Sequence, residues 1–151
     1  VKPTELAAAV AEILRDAVAS APIPESDVEQ RHMPIYDLSE LAICRVPVLP
    51  TDRNASAASR GHSNREHVIR IAPQWKATLP GGVIDDDQVE KFIDFVIWID
   101  ETIEAAAKIG PHTWISSSIE PLYDLEQLRE QAMLTSLITI NFKTLSHVTR
   151  R

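Results

Sequence analysis

Residues 133 to 142 read Met-Leu-Thr-Ser-Leu-Ile-Thr-Ile-Asn-Phe, and this period-two pattern constrains the fold more than any other stretch. Ser136, Ile138, Ile140 and Phe142 share one face, and Thr135, Leu137, Thr139 and Asn141 share the other. A strand with one apolar face needs sheet neighbours and a covering layer. Two stretches supply cover. Leu6, Val10, Ile13, Leu14, Ala17 and Val18 recur every three or four positions, which predicts an amphipathic helix over residues 5 to 19, with Thr4 as N-cap. Val89, Phe92, Ile93, Val96, Ile99 and Ile103, widened by Phe95 and Ile97, predict a longer one. It follows the carboxylates Asp85, Asp86 and Asp87, which suit the positive end of a helix, and Gly110-Pro111 is expected to end it.

Further strands are expected in short β-branched or alternating runs. One spans about 28 to 35. Another covers 41 to 49, where Ile43, Cys44, Val46 and Val48 dominate and Pro47 points to an edge or a bulge. A third covers 66 to 75 and ends near Pro73, and a fourth covers 113 to 119. Pro121-Leu-Tyr-Asp124 opens a short helical turn containing Glu126, Gln127 and Arg129. The fold class is therefore α+β: a mixed, largely antiparallel sheet with two main helices on one face. The 151 residues, 44% hydrophobic and 25% charged, suit a single domain over 1–151. Residues 51 to 66 join two strands and are small and polar, so they read as an extended loop.

The net charge of -7 opposes bulk binding to nucleic acid or anionic membrane. Glu5, Glu12, Arg15 and Asp16 interrupt the alanine-rich first helix, which reads as mature structure and not a signal sequence. Asp94 and Asp100 break the strongest apolar run, so no membrane span is expected. One cysteine, Cys44, excludes an intrachain disulfide and Cys-based zinc patterns, fits a reducing compartment, and reads as a buried small hydrophobe.

No catalytic pattern is present. His62 and His67 lack helical metal spacing and read as surface histidines; His32, His112 and His147 are isolated in sequence and meet only if the fold brings them together. Ser116, Ser117 and Ser118 lack a nucleophile elbow, and Gly61, Gly81 and Gly82 lack a phosphate-binding fingerprint. Trp75, Trp98 and Trp114 read as core or subunit-interface packing. Neither a cofactor nor a metal is expected. The loop stands apart because Arg53, Arg60 and Arg65 reverse the sign of an acidic chain locally, and arginines pair with carboxylates or phosphates on a partner.

The residues Met33-Pro-Ile-Tyr-Asp-Leu-Ser-Glu-Leu, Cys44-Arg-Val-Pro-Val-Leu-Pro, the arginine-bearing loop, Glu66-His-Val-Ile-Arg-Ile, Glu120-Pro-Leu-Tyr-Asp and the final Thr135-Ser-Leu-Ile-Thr-Ile-Asn-Phe resemble the small neck proteins of long-tailed bacteriophages. The likeness is to tail terminator or tail-completion proteins. It implies a non-enzymatic virion subunit, assembled in the host cytoplasm, that forms a hexameric ring on the tail tube and offers a docking surface to the head connector or stopper. DNA would pass through the lumen without specific binding. Arg53, Arg60 and Arg65 are the expected partner contacts. A head-completion adaptor or stopper of the same neck is the alternative, and a small enzyme or regulatory binding protein a distant one.

Overall fold

The computed structural model of the chain describes residues 3–59 and 62–147, with backbone alone at 52–59, 62–64, 80 and 145–147. Among these residues the fold is α+β, three α-helices and an eight-stranded, largely antiparallel sheet. Helix α1 (Pro3–Ala17) carries its proline in the first turn, where a missing N–H breaks no helical bond, so Thr4 lies inside the helix instead of capping it. Leu6, Ala7, Val10, Ala11 and Leu14 form its buried stripe. Strand β1 (Asp27–Gln30) is shorter than expected and pairs in parallel with the start of β2 (Arg45–Ser59), where Arg45 and Asp27 form an ion pair at 2.6 Å. Between them lies the 3-10 helix Leu38–Ala42, whose last two residues, Leu41 and Ala42, were expected to begin a strand. Asp37 and Glu40 close a capping box at its start, which outcompetes extension there.

Helix α2 (Asp86–Ala106) begins as expected: the Asp85 carboxylate accepts the Asp87 N–H at 3.1 Å. It ends earlier, at Ala106, because Ala107 takes a positive φ of 56° and turns the chain into β5 (Lys108–Ile109). Gly110-Pro111, expected to stop the helix, makes the turn between β5 and β6 (His112–Ile119), with Gly110 at φ 58°. Helix α3 (Leu125–Gln131) is capped by Asp124, whose carboxylate accepts the Gln127 N–H at 3.1 Å.

Two pairs of short strands are single strands interrupted by a kink. Strand β3 (His62–Ile71) and β4 (Gln74–Lys76) both pair with β2 in one antiparallel register, Ile71 opposite Val48 and Gln74 opposite Arg45. Strand β7 (Met133–Thr135) and β8 (Ile138–His147) keep one register against β4 and β3 in the same way. Proline chemistry explains the break. The Pro47 carbonyl accepts the Ala72 N–H at 3.2 Å, but Pro47 has no N–H to return the bond, and Pro73 follows at once. Pro47 therefore lies between paired neighbours, not at an edge.

Read through these kinks, the sheet runs β5, β6, β8, β3, β2, with β1 on the far side of β2. Val46 and Val48, Ile69 and Ile71, and Ile138, Ile140 and Phe142 present one face. The stripes of α1 and of α2 (Phe92, Phe95, Val96, Ile99 and Ile103) pack on that face in one buried cluster.

The expected loop over 51–66 is corrected. Residues 51–59 continue β2, residues 62–66 begin β3, and the two pair from Val48 opposite Ile71 to Ser59 opposite His62. The ladder forms because β3 is also held by β8 over its whole length, Ile71 opposite Ile138 through His62 opposite His147. Held between β2 and β8, β3 has its backbone paired on both sides, which keeps this polar stretch extended without an apolar run in its sequence. Arg60 and Gly61 lie outside the described residues.

Candidate functional site

Past the body of the sheet, β2, β3 and β8 continue as a three-stranded arm. On one side β6 leaves β8 after Thr113 pairs with Lys143. On the other, β1 leaves β2 at Val48, where the Arg31 N–H donates to the Val48 carbonyl at 3.0 Å. Beyond those points, among the described residues, neither outer edge of the arm has a strand partner. From Val48 to Ser59 the β2 ladder spans roughly 35 to 40 Å at about 3.3 Å per residue.

Two of the three candidate arginines have register positions on this arm. Arg53 stands opposite His67, and Arg65 opposite Ala55 on one side and Thr144 on the other. Arg60 is outside the described residues. Arg65 is only partly exposed, and its Nε is buried without a hydrogen-bond partner among the described atoms.

What the fold does gather is a histidine pair at the root of the arm. His67 on β3 and His112 at the start of β6 are 1% and 2% exposed, and their rings meet edge to face with centroids 4.9 Å apart. Thr144 of β8 shares a hydrogen bond with His112 Nδ1, while His67 Nδ1 and His112 Nε2 are buried without partners among the described atoms. His67 is thus not the surface histidine that its polar surroundings in sequence suggest. Burial pushes both imidazoles below their ordinary pKa, and for His67 the neighbouring His112 and Arg65 add to the effect. His112 also lines a shallow apolar cleft of about 150 Å³ against Glu5, Leu6 and Ala9 of α1. No sequence signal predicts this pairing, since β3 and β6 are linked only through β8, which lies between them.

Cys44 is fully buried and bonded to neither histidine. Burial pushes its thiol up to about 12, with a hydrogen bond to Ser26 opposing the shift. The groups that act on its thiol are Ser26 and Glu25, with neither His32 nor His112 among them. Among the described residues no cluster of three or more His, Cys, Asp or Glu side chains is placed to hold a metal ion. No described helix is long and apolar enough to cross a membrane.

On the segment between β1 and β2, Arg31 lies over the Tyr36 ring at 4.3 Å, and both bond the Glu29 carboxylate, Tyr36 at 3.1 Å and Arg31 at 3.3 Å. Burial pushes the Tyr36 hydroxyl up to about 12. This clamp fixes the backbone of a segment that leaves Met33, Ile35 and Leu38 more than half exposed.

Fold and geometry together define a class, a two-layer α+β body from which a braced β-arm with open edges extends. A scan against protein-family models and a search of curated proteins both find nothing that matches this chain.

Proposed function

We propose that this chain is a structural subunit of the neck of a long-tailed bacteriophage, a tail terminator that caps the tail tube as a ring and joins the tail to the head connector. The single observation that supports the reading best is the arm, which leaves two backbone edges open on a body whose own face is fully covered. Open edges are a liability in a chain that works alone and an asset in one that assembles. The exposed Met33, Ile35 and Leu38, held on a clamped segment, give a second apolar surface suited to a stacked ring. Arg53 and Arg65 are carried on the arm and Arg60 falls between its first two strands in sequence; contact with an acidic neighbour such as the tube or connector subunit is the role we assign all three. The hexameric order and the passage of DNA come from the family resemblance.

The test is a variant whose arm is cut back, with residues 55 to 65 replaced by Asn-Gly, a two-residue hairpin turn that keeps Asn54 opposite Glu66. We expect it to fold, to leave heads and tails unjoined in an assembly assay, and to release tails of irregular length. Normal head-to-tail joining by a folded variant refutes the proposal. Locating the wild-type chain by electron microscopy at the head-proximal end of the tube separates the terminator from the adaptor or stopper alternative.

A further inference from the structure

Register alone places the two open edges of the arm at one height. Ala55, Ser56, Ala57 and Ser59 on β2 stand opposite Arg65, Asn64, Ser63 and His62 on β3, which in turn stand opposite Thr144, Leu145, Ser146 and His147 on β8. The unpaired part of β8 therefore lies level with the last stretch of β2, on the opposite side of the same arm.

Among the described residues that stretch lacks most of the devices that protect an edge, its one irregularity falling between Ala57 and Ser59. Natural edges are blunted by charge, by proline or by a covering element. On β2 the charged residues Asp52 and Arg53 and the proline Pro50 all precede it, and residues 54 to 59 read Asn-Ala-Ser-Ala-Ala-Ser. Direction matters too. β2 and β8 are each antiparallel to β3, so both run towards the tip of the arm. A second copy in the same orientation brings its β8 edge beside the first copy's β2 edge as a parallel pair. A closed ring has no rise from one copy to the next, so it is residues of equal height that meet.

We infer that copies of this chain join head to tail by strand addition, the free edge of β8 (Leu145 to His147) in one copy pairing with the free edge of β2 (Ala55 to Ser59) in the next. This deepens the ring reading above and rests on it. The occupant is a second copy because the chain itself carries both halves of the joint, at matching height and polarity. Isologous pairing of β2 with β2 would leave the β8 edge bare.

The outward backbone groups on β2 can be assigned. The Val48 carbonyl accepts from Arg31 and so faces away from β3. Strand alternation, reset by the irregularity between Pro50 and Asp52, carries that orientation to Arg53, Ala55 and Ala57. Pro50 falls on an outward position as well, where its missing N–H costs no bond to β3.

Two experiments on the full chain test the inference. Cysteines are placed as Ala57→Cys together with Ser146→Cys. Within one copy these positions are two strands apart, about 9.6 Å, beyond the roughly 7 Å limit for a disulfide, and the native Cys44 is buried. Oxidation should give a ladder of covalent multimers on a non-reducing gel, in solution at assembly concentration and in particles. Dimers from Ala57→Cys alone would mean isologous pairing and overturn the inference.

The second experiment compares Ala55→Pro/Ala57→Pro, which removes two outward donors, with Ser56→Pro, which removes one bond to β3. The double variant should keep the wild-type melting temperature and lose multimers at least tenfold, while Ser56→Pro should lower the melting temperature. Wild-type rings from the double variant, or rings without the crosslink, overturn strand addition and leave the neck reading intact. Absence of the chain from the neck of particles removes the neck reading whatever the gel shows.

Discussion

Acid should weaken this protein through the two histidines at the root of the arm. His67 and His112 are almost wholly buried against each other, with Arg65 two residues along the same strand and Glu5 the carboxylate across the cleft beside His112. Their folded pKa values are lowered, chiefly by burial. Below the ordinary histidine value of about 6.5, the unfolded chain takes up protons that the folded chain does not, so unfolding becomes easier as pH falls. The stabilisation is complete above that value and is lost progressively towards the lowered folded value. Between pH 7.5 and 5.5 the loss is at most about 1.4 kcal/mol for each histidine, the limit reached only by a ring that stays neutral in the fold across the whole window. Equilibrium urea unfolding at half-unit pH steps measures this directly. Replacing both residues, as His67→Gln/His112→Gln, should remove most of the slope. A wild-type curve that is flat across this window, or a double variant with the wild-type slope, refutes the reasoning.

Two further outcomes follow from the same geometry. Asp85→Ala removes the carboxylate that caps α2 and should cost about 1 kcal/mol, read as a lower denaturation midpoint with an unchanged urea m-value. Cys44, buried with its thiol pushed up to about 12, should resist a thiol reagent at pH 8 in the folded protein and react fully in denaturant; fast reaction in the fold would contradict the placement.

The readable parts of the fold are those where one face is apolar and the other is not. The stripe of α2, the carboxylates at its start, the cap at Asp124 and the alternation over Ile138, Ile140 and Phe142 each carry a local signal that the packing agrees with. The arm had no such signal. Asn54, Ala55, Ser56, Ala57, Ala58 and Ser59 have neither β-branching nor alternation, and they are strand because β3 and β8 extend a ladder begun elsewhere. Gly110-Pro111 misled for a related reason, since a Gly-Pro pair marks a turn without saying which elements it joins. The histidine pair was illegible because His67 and His112 meet through β8, whose neighbours follow from the order of strands and not from spacing along the chain.

The braced arm also sets the terms on which this protein can change. The three strands keep a common register to His62 and His147, far from the helices, so two residues added to each at the tip lengthen it by roughly 7 Å and leave every buried contact as it was. Reach and stability are therefore separable in this chain. In the proposed assembly the arm would be a ruler whose length selection can adjust by small insertions, matching one body to neighbours of different size without redesigning its core.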